Sequence, residues 1–190
     1  MKSIRIARAS LATALVAGAL VLAACGGGST ADLIASGRAY LAKKEPRAAI
    51  IQFKAALQKD GQSGEARYLL GQTLLDNGEP VAAAAELGKA LDLKFPDAQV
   101  LPPLARALLL SGQTKKLTSL YGAVELADKA AAADLKSSVA SAWGALGERA
   151  KTEEAVAAAL RAVPQYASPH TLPSHGPIAR NIGGAPQSGW

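Results

Sequence analysis

The 190-residue chain holds one cysteine, one methionine and two histidines, and aromatic residues make up only 4% of it. A single cysteine excludes an internal disulfide, so apolar burial has to supply the stability. The histidines, His170 and His175, stand among prolines near the carboxyl end, and no Asp or Glu follows Glu154. Neither a metal shell nor a Ser/His/Asp triad can be assembled around them from neighbouring sequence. Glu153 and Glu154 are adjacent, so on a helix they face different ways and form no working carboxylate pair; they suit a solvated first turn, where negative charge is favoured. Gly26 to Gly28 lacks the strand, helix and lysine of a phosphate loop. No catalytic residue, metal ligand, cofactor or small-molecule substrate is therefore expected, and the chain reads as a non-enzyme. The net charge of +6 comes from 21 basic and 15 acidic residues. They form no clustered basic face, so nucleic acid is not an expected partner.

Long apolar runs are scarce too, with one exception at the amino end. Lys2, Arg5 and Arg8 precede an uncharged, Ala- and Leu-rich stretch from Ala9 to Ala24, which closes in Leu22, Ala23, Ala24 and Cys25. A basic start, a short apolar run and small residues at its end describe a secretory signal peptide over 1–24. An uncleaved anchor helix is the alternative, since Ser10 to Ala24 is nearly long enough for a tilted span. The last four residues resemble the bacterial lipoprotein box. That resemblance implies acylation of Cys25, removal of the segment before it, and a lipid-anchored mature chain. Removal of Lys2, Arg5 and Arg8 would leave a net charge of +3. Residues 25–29, mostly glycine, read as a flexible linker next to the lipid.

Beyond residue 29 the chain repeats itself. Gly37 and Gly71, Pro46 and Pro80, Ala49 and Ala83, and Ala56 and Ala90 each stand thirty-four residues apart. A period of that size marks stacked helical hairpins, each too small to bury its own apolar face. Within the first unit Leu33, Gly37, Tyr40, Ala49, Phe53 and Ala56 fall at repeat positions 4, 8, 11, 20, 24 and 27; in the second, Gly71, Leu74, Ala83, Leu87 and Ala90 do the same from position 8 on. This resembles the tetratricopeptide (TPR) pattern, in which small residues sit where two helices approach and large ones fill the gaps. Thr30 is the expected cap of the first helix, and Pro46 and Pro80 open the second helix of their hairpins, where a missing N–H costs nothing.

The expected fold is all-α: a right-handed TPR superhelix of about four repeats over 30–167, with bounds near 30–63, 64–97, 98–132 and 133–166. The third repeat is weaker, carrying Ala105, Leu108, Gly112, Leu117, Tyr121 and Val124 in register, with Pro102 and Pro103 in the first turn of its first helix or bending it. The fourth needs a one-residue slip. Ala140, Trp143, Val156, Ala159 and Pro164 then take positions 8, 11, 24, 27 and 32, with Gly147 near the turn. From Pro164 on, five of the ten prolines crowd together with four glycines. Residues 168–190 therefore read as a disordered tail. A polar closing helix is missing, so the face beyond Leu160 is expected either to be covered by another chain or to continue in a longer array.

The TPR resemblance implies a scaffold that holds other proteins, with a concave groove lined by first-helix positions 2, 5, 9, 12 and 13. Carried over, these give Ile34, Arg38 and Leu41, then Tyr68, Gln72 and Leu75, then Arg106 and Leu109. Arg38, Tyr68, Gln72 and Arg106 are the expected partner-binding residues. Arginine suits carboxylate recognition through its planar fork, and the alternative is that both arginines are ordinary solvated helix residues. The Lys and Asn set of carboxylate-clamp TPRs is absent. A TPR array behind a lipobox is similar to TPR lipoproteins of Gram-negative bacteria, most of all those of PEP-CTERM/exosortase systems, with this chain matching an amino-terminal portion. That likeness implies a scaffold on the outer membrane facing the periplasm, in exopolysaccharide-associated protein sorting, with other envelope proteins as partners. A pilus-biogenesis or outer-membrane assembly lipoprotein is the alternative, and a periplasmic hydrolase built on the array is disfavoured by the missing catalytic groups.

Overall fold

A computed structural model describes residues 28–162. Cys25 with the apolar run before it, and the Pro/Gly-rich stretch with His170 and His175, lie outside these residues. The described chain is all-α, eight helices paired in sequence order, and it divides into two compact units at Phe95/Pro96.

The first unit holds α1 (Thr30–Ala42), α2 (Pro46–Lys59), α3 (Gly64–Asp76) and α4 (Pro80–Asp92). Helix α1 packs on α2, α2 on α3, and α3 on α4. Ser29, rather than the expected Thr30, caps α1. Its Oγ accepts from the Asp32 N–H at 3.1 Å while Asp32 Oδ2 accepts from the Ser29 N–H at 2.8 Å, a reciprocal box that occupies two otherwise unpaired donors. The Ser29 hydroxyl also donates to Asp32 Oδ2, and these bonds hold the carboxyl below its ordinary range. Pro46 and Pro80 stand at the first position of α2 and α4 as expected.

The small-against-large pattern becomes packing here. Phe53 and Leu87 are fully buried, as are Ala49, Ala56, Ala83 and Ala90. The Phe53 ring lies against Gly37, and a methyl group built on Gly71 would stand 2.6 Å from Leu87 Cγ. Glycine at position 8 thus lets the first helix approach the large side chain at position 24 of the second. Burying side chains of this size contributes about 1.5–3 kcal/mol each. Leu74 is buried at position 11, whereas Tyr40 is half-buried, with the Lys43 ammonium 5.7 Å from its ring centre.

The second unit holds α5 (Asp97–Leu110), α6 (Thr114–Tyr121), α7 (Lys129–Ala145) and α8 (Arg149–Ala162). Here α7 packs on α5, α6 and α8. Pro102 and Pro103 lie in the second turn of α5, inside the helix rather than in its first turn. Helix α6 has 8 residues against 14 in α2. It is shorter by roughly 9 Å at 1.5 Å per residue. Val124, expected at inward position 27, therefore falls in the irregular stretch 122–128, and α7 starts at Lys129, ahead of the expected repeat boundary at 133. Asp128 caps it by accepting from the Ala131 N–H at 2.8 Å.

One turn recurs through both units. Lys44, Gly78, Gly112 and Gly147 all have positive φ, at 60°, 82°, 73° and 77°. Each is followed by a residue whose N–H reaches back five residues: Glu45 to the Tyr40 carbonyl at 3.0 Å, Glu79 to Leu74 at 2.9 Å, Gln113 to Leu108 at 2.8 Å and Glu148 to Trp143 at 3.0 Å. This closure pairs carbonyls that a helix end leaves free. The spacing is thirty-four, thirty-four and then thirty-five, so the slip read between the third and fourth repeats is present in the backbone. In α8 the inward residue is nevertheless Ala155, at 8% exposed, while Val156 is 44% exposed and Ala159 half-buried. Glu153 and Glu154 lie in the second turn of α8, not the first, and Glu153 accepts from Arg149 Nε at 3.0 Å.

Candidate partner-binding surfaces

Three of the four expected groove residues sit on α1 and α3 of the first unit. Arg38 on α1 donates to Glu65 on α3 at 2.7 Å, with both side chains about half exposed. This pair links the first helices of successive hairpins. Tyr68, one turn beyond Glu65, stacks on Phe95 with ring centres 5.0 Å apart. Burial pushes the Tyr68 hydroxyl up from its ordinary range, and the nearby positive charge of Arg38 opposes that shift. Gln72 is exposed on the next turn. Ile34 and Leu75, also carried over as groove positions, are buried in the core and present nothing to a partner. Arg106 belongs to the second unit, exposed on α5. Arg38 is thus not a free guanidinium fork; its partner is already supplied from within the chain.

A second polar cluster joins the two helices of the second hairpin. Arg67 on α3 donates to Glu86 on α4 at 2.6 Å and to the Gly61 carbonyl at 3.0 Å, and Lys89 donates to Glu86 at 3.0 Å. Burial pushes the Glu86 carboxyl up, but the hydrogen bonds from Lys89 and Arg67 outweigh it and hold it below the usual range. The group borders a shallow cleft of about 320 Å³ with Lys54, Leu57, Gln58 and Leu70. Its charges satisfy one another, which suits a structural role.

The second unit has a larger cleft, about 510 Å³, which opens where α6 ends. Lys136 from α7 lines it although it is buried, at 6% exposed, the one charged residue so placed among the described residues. Its ammonium meets Glu125 Oε1 at 2.8 Å and the Gly122 carbonyl at 3.4 Å. The chemistry follows from the early stop of α6: the last carbonyls of a helix lack partners, and a lysine can serve them. Trp143 lines the same cleft, with the Lys151 ammonium 4.3 Å from its ring centre. Sequence reasoning assigned no role to Lys136 or Glu125. The available signals were Val124 in place of a small residue at position 27 and Gly122 directly after Tyr121, which together mark a second helix that stops short.

Among the described residues no three His, Cys, Asp or Glu side chains gather as a metal site, and no helix is long and apolar enough to cross a membrane. Residues 40–107 match the tetratricopeptide repeat family. That stretch contains α2, α3 and α4 entire and most of α5. It is a tetratricopeptide-repeat region, and such regions are protein–protein interaction scaffolds that are typically non-catalytic. No curated protein matches the chain.

Proposed function

We propose that the protein is a non-catalytic scaffold, held on the bacterial envelope by lipid at Cys25, whose TPR hairpins hold extended segments of other envelope proteins. The observation that carries the binding half is the exposed polar surface of α1 and α3, with Glu65 and Gln72 beside the stacked Tyr68 inside the matched repeat region and Arg38 just ahead of it. A ligand carboxylate would exchange with Glu65 for Arg38. The Arg38–Glu65 pair is exposed, so the exchange costs little, on the order of 0–1 kcal/mol. The anchoring half rests on the sequence Leu22-Ala23-Ala24-Cys25 alone. Gly26 follows the cysteine, not the Asp associated with inner-membrane retention, which favours the outer membrane facing the periplasm. Several acyl chains on one residue exceed the marginal hold of a single chain.

Within this reading the PEP-CTERM/exosortase setting is the preferred system, on the likeness of a TPR array placed directly behind a lipobox. Two measurements test the proposal. Fractionation of a Cys25→Ser variant should move the protein out of the membrane and block its processing; unchanged membrane attachment would refute the anchor. A pull-down from solubilised envelope should recover sorting or polysaccharide-export components, and pilus-assembly components in their place would replace the preferred setting with the alternative.

A further inference from the structure

The lining of the second unit's cleft carries three cations and two carboxylates. Lys136, Lys151 and Arg161 line it against Glu125 and Glu154. Lys151 is engaged with the Trp143 ring and, at 3.5 Å, with Glu148. Lys136 is held rigidly by burial, and the two contacts of its ammonium leave one of its three N–H donors unassigned. Glu125 differs in kind. It lies on the irregular stretch 122–128 and its side chain is 79% exposed, so its carboxylate regains water on leaving, while the buried ammonium is costly to leave unpaired and favours another carboxylate in its place. Its departure would leave the three cations of the cleft facing Glu154 and the Glu148 that pairs with Lys151, an excess of positive charge that calls for an anionic occupant.

We propose that this cleft binds a carboxylate side chain from an acidic, extended segment of a partner protein, which takes the place of Glu125 at Lys136. Glu125 is in effect a resident carboxylate that marks where the ligand's oxygen goes. Ala155 and Ala158 supply the small apolar part of the lining and Trp143 the aromatic part, which suits a peptide carrying small side chains beside its acid. Residues 163–190 contain no Asp or Glu, so their side chains cannot supply the group. The inference rests on the scaffold reading above but uses a different unit and different residues from the α1/α3 surface.

The test uses the full chain and a blocked five-residue peptide of four alanines around a central glutamate, with the glutamine version as control, followed by NMR at the Trp143 indole. The glutamate peptide should shift that resonance, and the glutamine peptide should bind at least about fivefold more weakly. Lys136→Gln should weaken the glutamate peptide about tenfold, as expected for loss of a charged hydrogen bond. Glu125→Gln should strengthen it severalfold, because the competitor is gone, and Arg38→Ala should leave it unchanged. Equal response to both peptides, no response at Trp143, or an unaltered affinity in Glu125→Gln overturns the proposal. If Lys136→Gln loses helicity, the Glu125→Gln result decides alone. Envelope partners captured equally by the protein and its Lys136 and Glu125 variants would sink this site while leaving the scaffold reading in place.

Discussion

The two compact units start from the same hairpin plan and end with different interiors. In the first, glycine at position 8 receives a fully buried Phe53 or Leu87 from position 24, and alanine at position 27 closes the contact. In the second, position 8 is Ala105 or Ala140, and position 24 is the half-buried Tyr121 or the exposed Val156. Where position 8 carries a methyl group, the side chain at position 24 is not fully buried. The second unit finds its stability elsewhere, in Leu108, Leu117, Leu135 and Val139, all nearly inaccessible, and in the longer α7 packed on three neighbours. Regularity thus goes with efficient small-against-large burial. Irregularity leaves room for a cleft and a buried lysine.

The largest test of that contrast is at position 24. Phe53→Ala should cost about 3–5 kcal/mol and Leu87→Ala about 2–5 kcal/mol, because each leaves a cavity, while Val156→Ala should change stability by less than about 0.5 kcal/mol. Denaturant unfolding of the three variants reads this directly, and comparable losses at Phe53 and Val156 would erase the distinction. A middle-sized effect lies at position 8. Gly71→Ala should destabilise by about 1–3 kcal/mol through overpacking against Leu87, despite the better helix propensity of alanine. The reverse change Ala105→Gly should lose about 0.5–1 kcal/mol from helix propensity and no more, since no buried ring is waiting for the space. The smallest effect concerns the turns. Lys44 adopts a backbone conformation that its counterparts Gly78, Gly112 and Gly147 adopt without a side chain, so Lys44→Gly should raise stability by up to about 1 kcal/mol. A thermal melt lowered by that change would mean the Lys44 side chain makes up for its strain through contacts of its own.

The hairpins of the first unit were legible because each structural need there is met by a residue type that sequence displays. Glycine marks the close approach, proline opens the second helix, and aromatic or leucine side chains fill position 24. The second unit was legible in its spacing, and even in its slipped register, but not in its packing. The stop of α6 at Tyr121 is signalled locally only by Gly122 and by Val124 at position 27, and Val124 with Leu126 continues an apolar pattern that masks it. Ser29 displaced Thr30 as the first cap because Asp32 stands three residues after it and can return the bond, a reciprocity that a hydroxyl alone does not reveal. Arg38 is exposed on α1, and its engagement with Glu65 depends on how α3 follows α1, which the spacing of either helix does not encode.

Every pairing within each unit joins elements that are next to each other in the chain or one removed, from α1 on α2 to α7 on α5. Few distant segments have to find each other, so loop closure consumes little entropy before contacts begin to form. Chains of this kind fold in about microseconds to milliseconds. A polypeptide delivered from one end can accordingly settle hairpin by hairpin, and at any moment the unsatisfied apolar surface is confined to the face of the most recent one.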